Sequence, residues 1–519
     1  MSIPMPLQNE LPSEYSDRLG IVYSKSVTSS HKKQNGQFFT PIPITKLMAS
    51  LSANQSKKIR VLDPGCGTAI LSCSLVEYLI KNNPNLEEIE LVTYETDLQL
   101  SPYLQKILDY LKKSCAEKGV ELHYISLFSD FILDNAKALR KNNDFEKFDI
   151  IISNPPYFKL SKTDERTVVA SQLVSGQPNI YSLFMGIASQ LLSENGELIF
   201  ITPRSFTSGN YFKAFRDYFF GSVQLERIHL FDSRKETFNR DKVLQETLII
   251  KTIKQKIDTN KTVLISSSSG IEDITNPAKK IYQYSELLDF NSRSKILHLP
   301  VNNEEESILR LVSNWDKKLI DLDINISTGP VVSFRAWDYI QNNYENGTVF
   351  LAPLFWLQNV NKMILEWPKE IKDKGQYIKI LKESRSLLLP NKNYIFLRRF
   401  STKDDKSRLI ASPYFCNYYQ SNFIGVENKL NYIYRKNGHL DRAETVGLCA
   451  VLNSKLFDAY FQIFNGNVNV SATELREMNF PDLEIIIDIG KEVILSNDYS
   501  MENVNQIIEN TFKLESIDI

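Results

Sequence analysis

From Lys58 to Thr202, apolar runs of β character alternate with segments of helical apolar spacing, and this alternation restricts the chain to few architectures. Ile59–Asp63, Ile89–Glu95, Val120–Leu127, Phe148–Ser153 and Glu197–Thr202 read as strands. Ala69–Ile80, Pro102–Lys118 and Tyr181–Leu192 read as helices, with Gly119 stopping the second. Strand, helix and strand in repeated succession form βαβ units, so the expected class is α/β, a doubly wound, mostly parallel sheet. Two longer β runs, Val223–Phe231 and Val243–Thr252, lack a full helix between them and are expected to form a hairpin at the sheet edge.

At 519 residues the chain exceeds one ordinary core, and two or three domains are expected. After about Lys254 the pattern becomes polar and mixed, and all four tryptophans, Trp315, Trp337, Trp356 and Trp367, follow position 310. The expected division is an N-terminal extension over 1–35, an α/β domain over 36–255, a connecting region over 256–320, and a mixed α+β domain over 321–519. Hydrophobic residues at 42% and charged residues at 24% are those of a folded globular chain. No apolar run approaches the ~18 residues of a membrane span, and the N-terminus lacks the basic and apolar regions of a signal peptide. A cytoplasmic protein is expected. The five cysteines form no CxxC pair and no Cys/His cluster, so neither a metal site nor a disulfide framework is expected. A net charge of −1 argues against a uniformly basic surface, but it does not report how charge is sorted between faces.

Three strand ends carry ligand chemistry. Val61-Leu62-Asp63-Pro64-Gly65-Cys66-Gly67-Thr68 is a strand, a turn and a helix start. Gly65 and Gly67 let the backbone approach a ligand closely, and the helix behind them offers free N–H groups. The third glycine of a dinucleotide fingerprint is absent, as is the Lys-Ser/Thr pair of a phosphate loop. The next strand ends in Glu95, with Asp97 beyond it, where a carboxylate in an open α/β sheet bonds ribose hydroxyls. The third ends in Asp130-Phe131, an acceptor for adenine N6 hydrogens beside a ring that can cover the base. Each carboxylate taken alone is more often a solvated loop residue or a helix cap.

The most specific feature is the apolar strand Phe148–Ser153 running into Asn154-Pro155-Pro156-Tyr157. Two prolines stiffen the turn and hold the Asn154 side chain and the Pro155 carbonyl as fixed acceptors. An exocyclic amine is a poor nucleophile because its lone pair is delocalised into the ring. Two acceptors on its hydrogens favour a localised lone pair and stabilise the positive charge that grows when it is alkylated. Tyr157 can stack on the base.

With these residues in this order, the chain resembles the gamma-class DNA adenine-N6 methyltransferases of bacterial type II restriction–modification systems. Gly36-Gln37-Phe38-Phe39-Thr40-Pro41 looks like the family's first cofactor motif, and Asp63 to Thr68 like its glycine loop. Glu95 falls at the ribose position, Asp130 at the adenine position and Asn154 to Tyr157 at the catalytic motif. Pro178 to Phe184 and Gly196 to Pro203 resemble the segments that follow. The resemblance implies a Rossmann-like fold using S-adenosylmethionine, with Gln37, Phe39, Thr40, Asp63, Gly65, Gly67, Glu95, Asp130 and Phe131 at the cofactor. It implies double-stranded DNA as substrate, with Tyr157 and Phe238 stacking on a flipped adenine, and it allows a separate cognate endonuclease as partner. With about 35 residues ahead of the first motif, no fused nuclease is expected. Gly65 stands where many relatives have Ala and Ala69 where many have Gly; neither departure is expected to abolish cofactor binding.

The C-terminal half resembles the target recognition region of such enzymes more loosely, through Ser327 to Pro330 with Phe334-Arg335, Leu397 to Phe400, and Phe464 to Leu475. Arg398, Arg399, Lys403, Lys406 and Arg408 cluster beside Tyr394, Phe396 and Phe400, and are the expected DNA contacts. Other readings stay open. The same tetrapeptide serves methyltransferases acting on RNA or on a protein glutamine, and the fold could serve recognition alone within a defence system. Cytosine N4 methylation uses a related tetrapeptide usually led by Ser, so Asn154 favours adenine.

Overall fold

The computed structural model describes residues 3–28, 30–31, 40–140, 145–231, 247–271, 273–288, 290, 294–300, 303–342, 350–400, 407–464 and 470–514. The chain divides into two compact units, Met1–Val301 and Asn302–Ile519.

The first unit is built on a nine-stranded sheet. Its strands are β1 (Lys58–Pro64), β2 (Glu88–Tyr94), β3 (Glu121–Leu127), β4 (Phe148–Ser153), β5 (Leu192–Pro203), β6 (Gln224–Phe231), β7 (Thr247–Ile253), β8 (Thr262–Ser268) and β9 (Ala278–Gln283). Their order is β3-β2-β1-β4-β5-β7-β6-β8-β9. The strands from β3 to β5 are mutually parallel, which is the expected doubly wound arrangement. The order reverses between β1 and β4, so the crevice at the carboxyl ends of these strands is where such a sheet takes a ligand.

Side-chain alternation sorts the core into two layers. Ile150 and Ile152 of β4 face one side with Val61, Ile199 and Ile201. Ile151 faces the other with Leu62, Leu198 and Phe200. Over the first face lie α1 (Pro12–Ser26), α2 (Ile42–Ser50), α3 (Ile70–Asn82) and α4 (Ser101–Glu117), burying Leu19, Met48, Val76 and Leu104. Short α5 (Phe131–Asn135) and the apolar α6 (Ile180–Leu191) cover the second face, which buries Phe131, Leu183 and Ile187.

Three features differ from expectation. The N-terminal extension is part of the first unit, because α1 buries Tyr15, Leu19 and Tyr23 at helical spacing. That stripe is largely tyrosine, so its polar flanks disguise it. The expected hairpin forms, with β6 antiparallel to β7, but it lies inside the sheet and not at its edge. The expected connector supplies β8, parallel to β6, and then β9. These outer strands read as polar because β9 buries only Tyr282 of its six residues.

The second unit is mixed α+β, as expected for its larger part. Ile324–Thr328, Leu430–Arg435, Tyr394–Arg398 and Ala411–Tyr414 form a four-stranded antiparallel sheet. A five-stranded sheet includes Leu351–Phe355 and Phe423–Val426. Helices Arg442–Asn453 and Leu483–Ser496 meet at glycine: a Cβ on Gly447 would lie 1.8 Å from the Ile486 carbonyl oxygen. No helix among the described residues is long and apolar enough to cross a membrane.

Candidate functional site

The glycine loop is suspended between β1 and its neighbours. Gly65 and Gly67 both adopt left-handed backbone, with φ of 84° and 55°, which only glycine accepts without strain. The Gly65 and Cys66 N–H groups donate to the Tyr94 carbonyl, and the Ser153 hydroxyl donates to that of Pro64. Asp63 turns inward, where its carboxylate accepts from the Ser72 hydroxyl of α3 at 2.6 Å. Burial raises its pKa to about 7 against that hydrogen bond. Asp63 therefore ties strand end to helix start beneath the loop.

Glu95, immediately after β2, is a clamp. One carboxylate oxygen accepts from the Thr96 and Asp97 N–H groups, and the other accepts from the Gly67 N–H at 3.0 Å. Burial pushes its pKa up despite these bonds. Asp97, the alternative ribose candidate, is engaged elsewhere: it accepts from the Tyr23 hydroxyl, lies 2.7 Å from His31 Nε2, and caps the turn at Gln99. Glu95→Gln would set an amide or carbonyl where two charged acceptors now hold three N–H groups. Losing one such charge-assisted bond costs roughly 1.5–3 kcal/mol. If Glu95 also holds cofactor ribose hydroxyls, as the resemblance implies, affinity for S-adenosylhomocysteine should fall by about 10- to 100-fold in titration calorimetry, and unchanged affinity would overturn that role.

Asp130 is both cap and candidate ligand. One oxygen accepts from the Ile132 and Leu133 N–H groups of α5, while the other lies 3.7 Å from the Arg166 guanidinium. Arg166 is held mainly by Asp164 and lies 5.7 Å from the Phe158 ring centre. Phe131 is buried, packed edge-on against Tyr94 and tilted against Phe184. Phe184 reaches further: a Cβ at Gly65 would lie 3.6 Å from its ring and 4.0 Å from Pro156 Cδ. The glycine loop, this ring and the proline turn thus lie together. The sequence reading passed over Phe184 as a ligand residue, although it closes the Pro178 to Phe184 segment.

Asn154 is part-exposed at the carboxyl end of β4. Its amide Nδ2 donates to Thr40 Oγ1 at 2.9 Å, and its Oδ1 accepts from the Tyr157 hydroxyl. That hydroxyl also lies 2.9 Å from the Ile201 carbonyl oxygen of β5. Burial holds the Tyr157 phenol well above its ordinary pKa, so it stays a neutral donor. Gln37, Phe39, Phe238, Lys403 and Lys406 lie outside the described residues.

In the second unit Arg398 and Arg399 diverge. The Arg398 guanidinium donates to the Val360 carbonyl and Asn361 Oδ1, and that of Arg399 to the Asn428 carbonyl. The Arg408 main-chain N–H bonds Asp458. The Arg398 and Arg399 guanidinium groups thus both have protein acceptors. Phe334, Trp337 and Phe350 are the most exposed aromatic rings among the described residues.

Residues 71–238 match the family described as Eco57I restriction-modification methylase. Type II methyltransferase M.BsuBI of Bacillus subtilis is 33% identical over 495 residues, 94% of each chain. The chain belongs to the type II methyltransferases. M.PstI of Providencia stuartii, another of them, is 30% identical over 92% of this methyltransferase and 93% of its own length. Among solved structures, the type IIG restriction endonuclease BpuSI is similar over 97% of this chain and 68% of its own, at 13% identity and a TM-score of 0.47.

Proposed function

We propose that this methyltransferase transfers the methyl of S-adenosylmethionine to N6 of an adenine extruded from duplex DNA, as a gamma-class enzyme with the Asn-Pro-Pro-Tyr tetrapeptide. The observation that carries the reading is the Asn154 amide, held part-exposed beside the glycine loop by Thr40 and Tyr157. Asn154 Oδ1 and the Pro155 carbonyl accept the two hydrogens of the exocyclic amine. They raise electron density on nitrogen and stabilise the charge that develops there. The rigid turn supplies orientation, which for an in-line displacement accounts for a large part of the rate.

The residues present fit the cofactor. The left-handed glycines leave a cradle that a side chain would narrow, Glu95 is an acceptor suited to ribose hydroxyls, and the second oxygen of Asp130 suits an adenine amine. When bound, the cofactor supplies an electrophilic methyl on a sulfonium. Phe131 and Phe184 give the crevice an apolar wall that excludes water. The protonated Tyr157 donates to Asn154 Oδ1 without placing a negative charge beside the reacting amine.

The second unit is the proposed DNA reader, possessing exposed aromatics for base contact and Arg398, Arg399 and Arg408 for phosphate or base edges. A separate endonuclease recognising the same sequence is the proposed partner. The test is transfer from methyl-labelled S-adenosylmethionine to duplex DNA, followed by nucleoside mass spectrometry. N6-methyladenine is expected. N4-methylcytosine, label confined to RNA or protein, or no transfer would each overturn the proposal.

A further inference from the structure

We infer that Thr40 is a positioning residue for methyl transfer, acting through the Asn154 amide; the inference rests on the catalytic role proposed for Asn154. The hydrogen bond between them spans 114 positions of sequence. Thr40 is buried, with 2% of its surface exposed. It stands just before Pro41, the N-cap of α2, whose first turn closes on the Pro41 carbonyl and whose Thr45 hydroxyl accepts from Ser74 of α3. Ile44 and Met48 anchor that helix in the core. The Thr40 hydroxyl is thus presented from a rigid support.

Asn154 needs such a support. Its backbone is stiffened by the two following prolines, but its amide turns about a broad terminal torsion that the backbone does not control. Thr40 meets Nδ2 and Tyr157 meets Oδ1, while the Ile201 carbonyl of β5 steadies the Tyr157 hydroxyl. The amide plane is held between the lead-in to α2 and the edge of β5. With Nδ2 donating to Thr40, Oδ1 is the acceptor atom of the amide. Rotation away from this plane would point a donor, or no lone pair, at a donor. The resemblance places Thr40 at the cofactor; the geometry assigns it to the catalytic amide, and the two roles predict different kinetic defects.

The experiment compares Thr40→Val, which preserves shape and removes the acceptor, with Thr40→Ser, which retains the hydroxyl. Single-turnover methyl transfer is measured at saturating S-adenosylmethionine and duplex DNA, beside calorimetric affinity for S-adenosylhomocysteine and the melting temperature. Thr40→Val should lower the rate on the order of 10-fold or more, since misplacement of a reacting group by about 1 Å costs up to about 100-fold. Thr40→Ser should stay within about 2-fold of wild type, and cofactor affinity should be unchanged in both. A wild-type rate in Thr40→Val, or lost affinity with the saturated rate intact, overturns the inference. Thr40→Ala serves as the hydroxyl-free variant if valine impairs folding. Asn154→Ala in the same assay separates the two claims: if it is active the catalytic reading fails, whereas an inactive Asn154→Ala beside a fully active Thr40→Val refutes only the role of Thr40.

Discussion

Asn154→Ala should reduce single-turnover methylation by about 100-fold or more while leaving the fold and cofactor affinity in place. The loss of one preorganised group aimed at developing charge has that magnitude, equivalent to roughly 3 kcal/mol of barrier. The fold should tolerate the change because the side chain is part-exposed and its partners keep other support: Tyr157 retains the Ile201 carbonyl, and Thr40 stays anchored ahead of α2. Cofactor affinity should persist because Glu95 holds the glycine loop from the opposite side of the crevice, and the Ser153 hydroxyl still reaches Pro64. Rapid-quench kinetics with labelled cofactor, paired with calorimetry, separates these effects. A variant that methylates near the wild-type rate would show that Asn154 does not accept from the reacting amine.

The largest effect on stability is expected at a buried charge cluster away from this chemistry. Lys251 of β7 lies 2.9 Å from Glu197 of β5 and 3.1 Å from Glu226 of β6, and its side chain is 2% exposed. Glu197 also accepts from the Ser52 hydroxyl and the Ala53 N–H, so the same carboxylate ties the chain beyond α2 to the sheet. Lys251→Met removes the cation and leaves the Glu197 carboxylate buried. Breaking such a pair from one side costs about 3–5 kcal/mol, mainly through the uncompensated charge. Urea unfolding of the first unit should shift to lower midpoint with its slope retained. Adding Glu197→Gln should recover much of the loss, because it removes the stranded charge. A single-variant loss below about 1 kcal/mol, or no recovery in the double variant, would show that the pair is solvated and not buried.

The sheet from β3 to β5 and the glycine loop were legible because their information is local. An apolar run that buries both faces, as in Phe148–Ser153, reads the same with or without its neighbours. Gly65, Gly67, Pro155 and Pro156 act through their own backbone torsions. The edge strand β9 was less legible because it buries only Tyr282, and α1 because its buried stripe is phenolic.

The second unit follows the same division. Its mixed class showed in short β runs rich in aromatics, but the acceptors that Arg398 and Arg399 meet were not legible from their adjacency. Adjacent strand residues point to opposite faces, so Arg398 meets Val360 and Asn361 while Arg399 meets Asn428.

Sequence alone determined which residue types stand at successive strand ends, and with them the class of chemistry: acceptors at Glu95, Asp130 and Asn154 around a glycine turn. Tertiary structure decided how those groups are used. It turned Asp63 inward to Ser72, made Glu95 a clamp on Gly67, brought Thr40 to Asn154 and stored Lys251 between two carboxylates. The reason is physical. Backbone torsion and alternation are properties of neighbouring residues. The partner of a buried polar group is set by whichever distant segment the closed sheet brings within about 3 Å, the reach of a hydrogen bond.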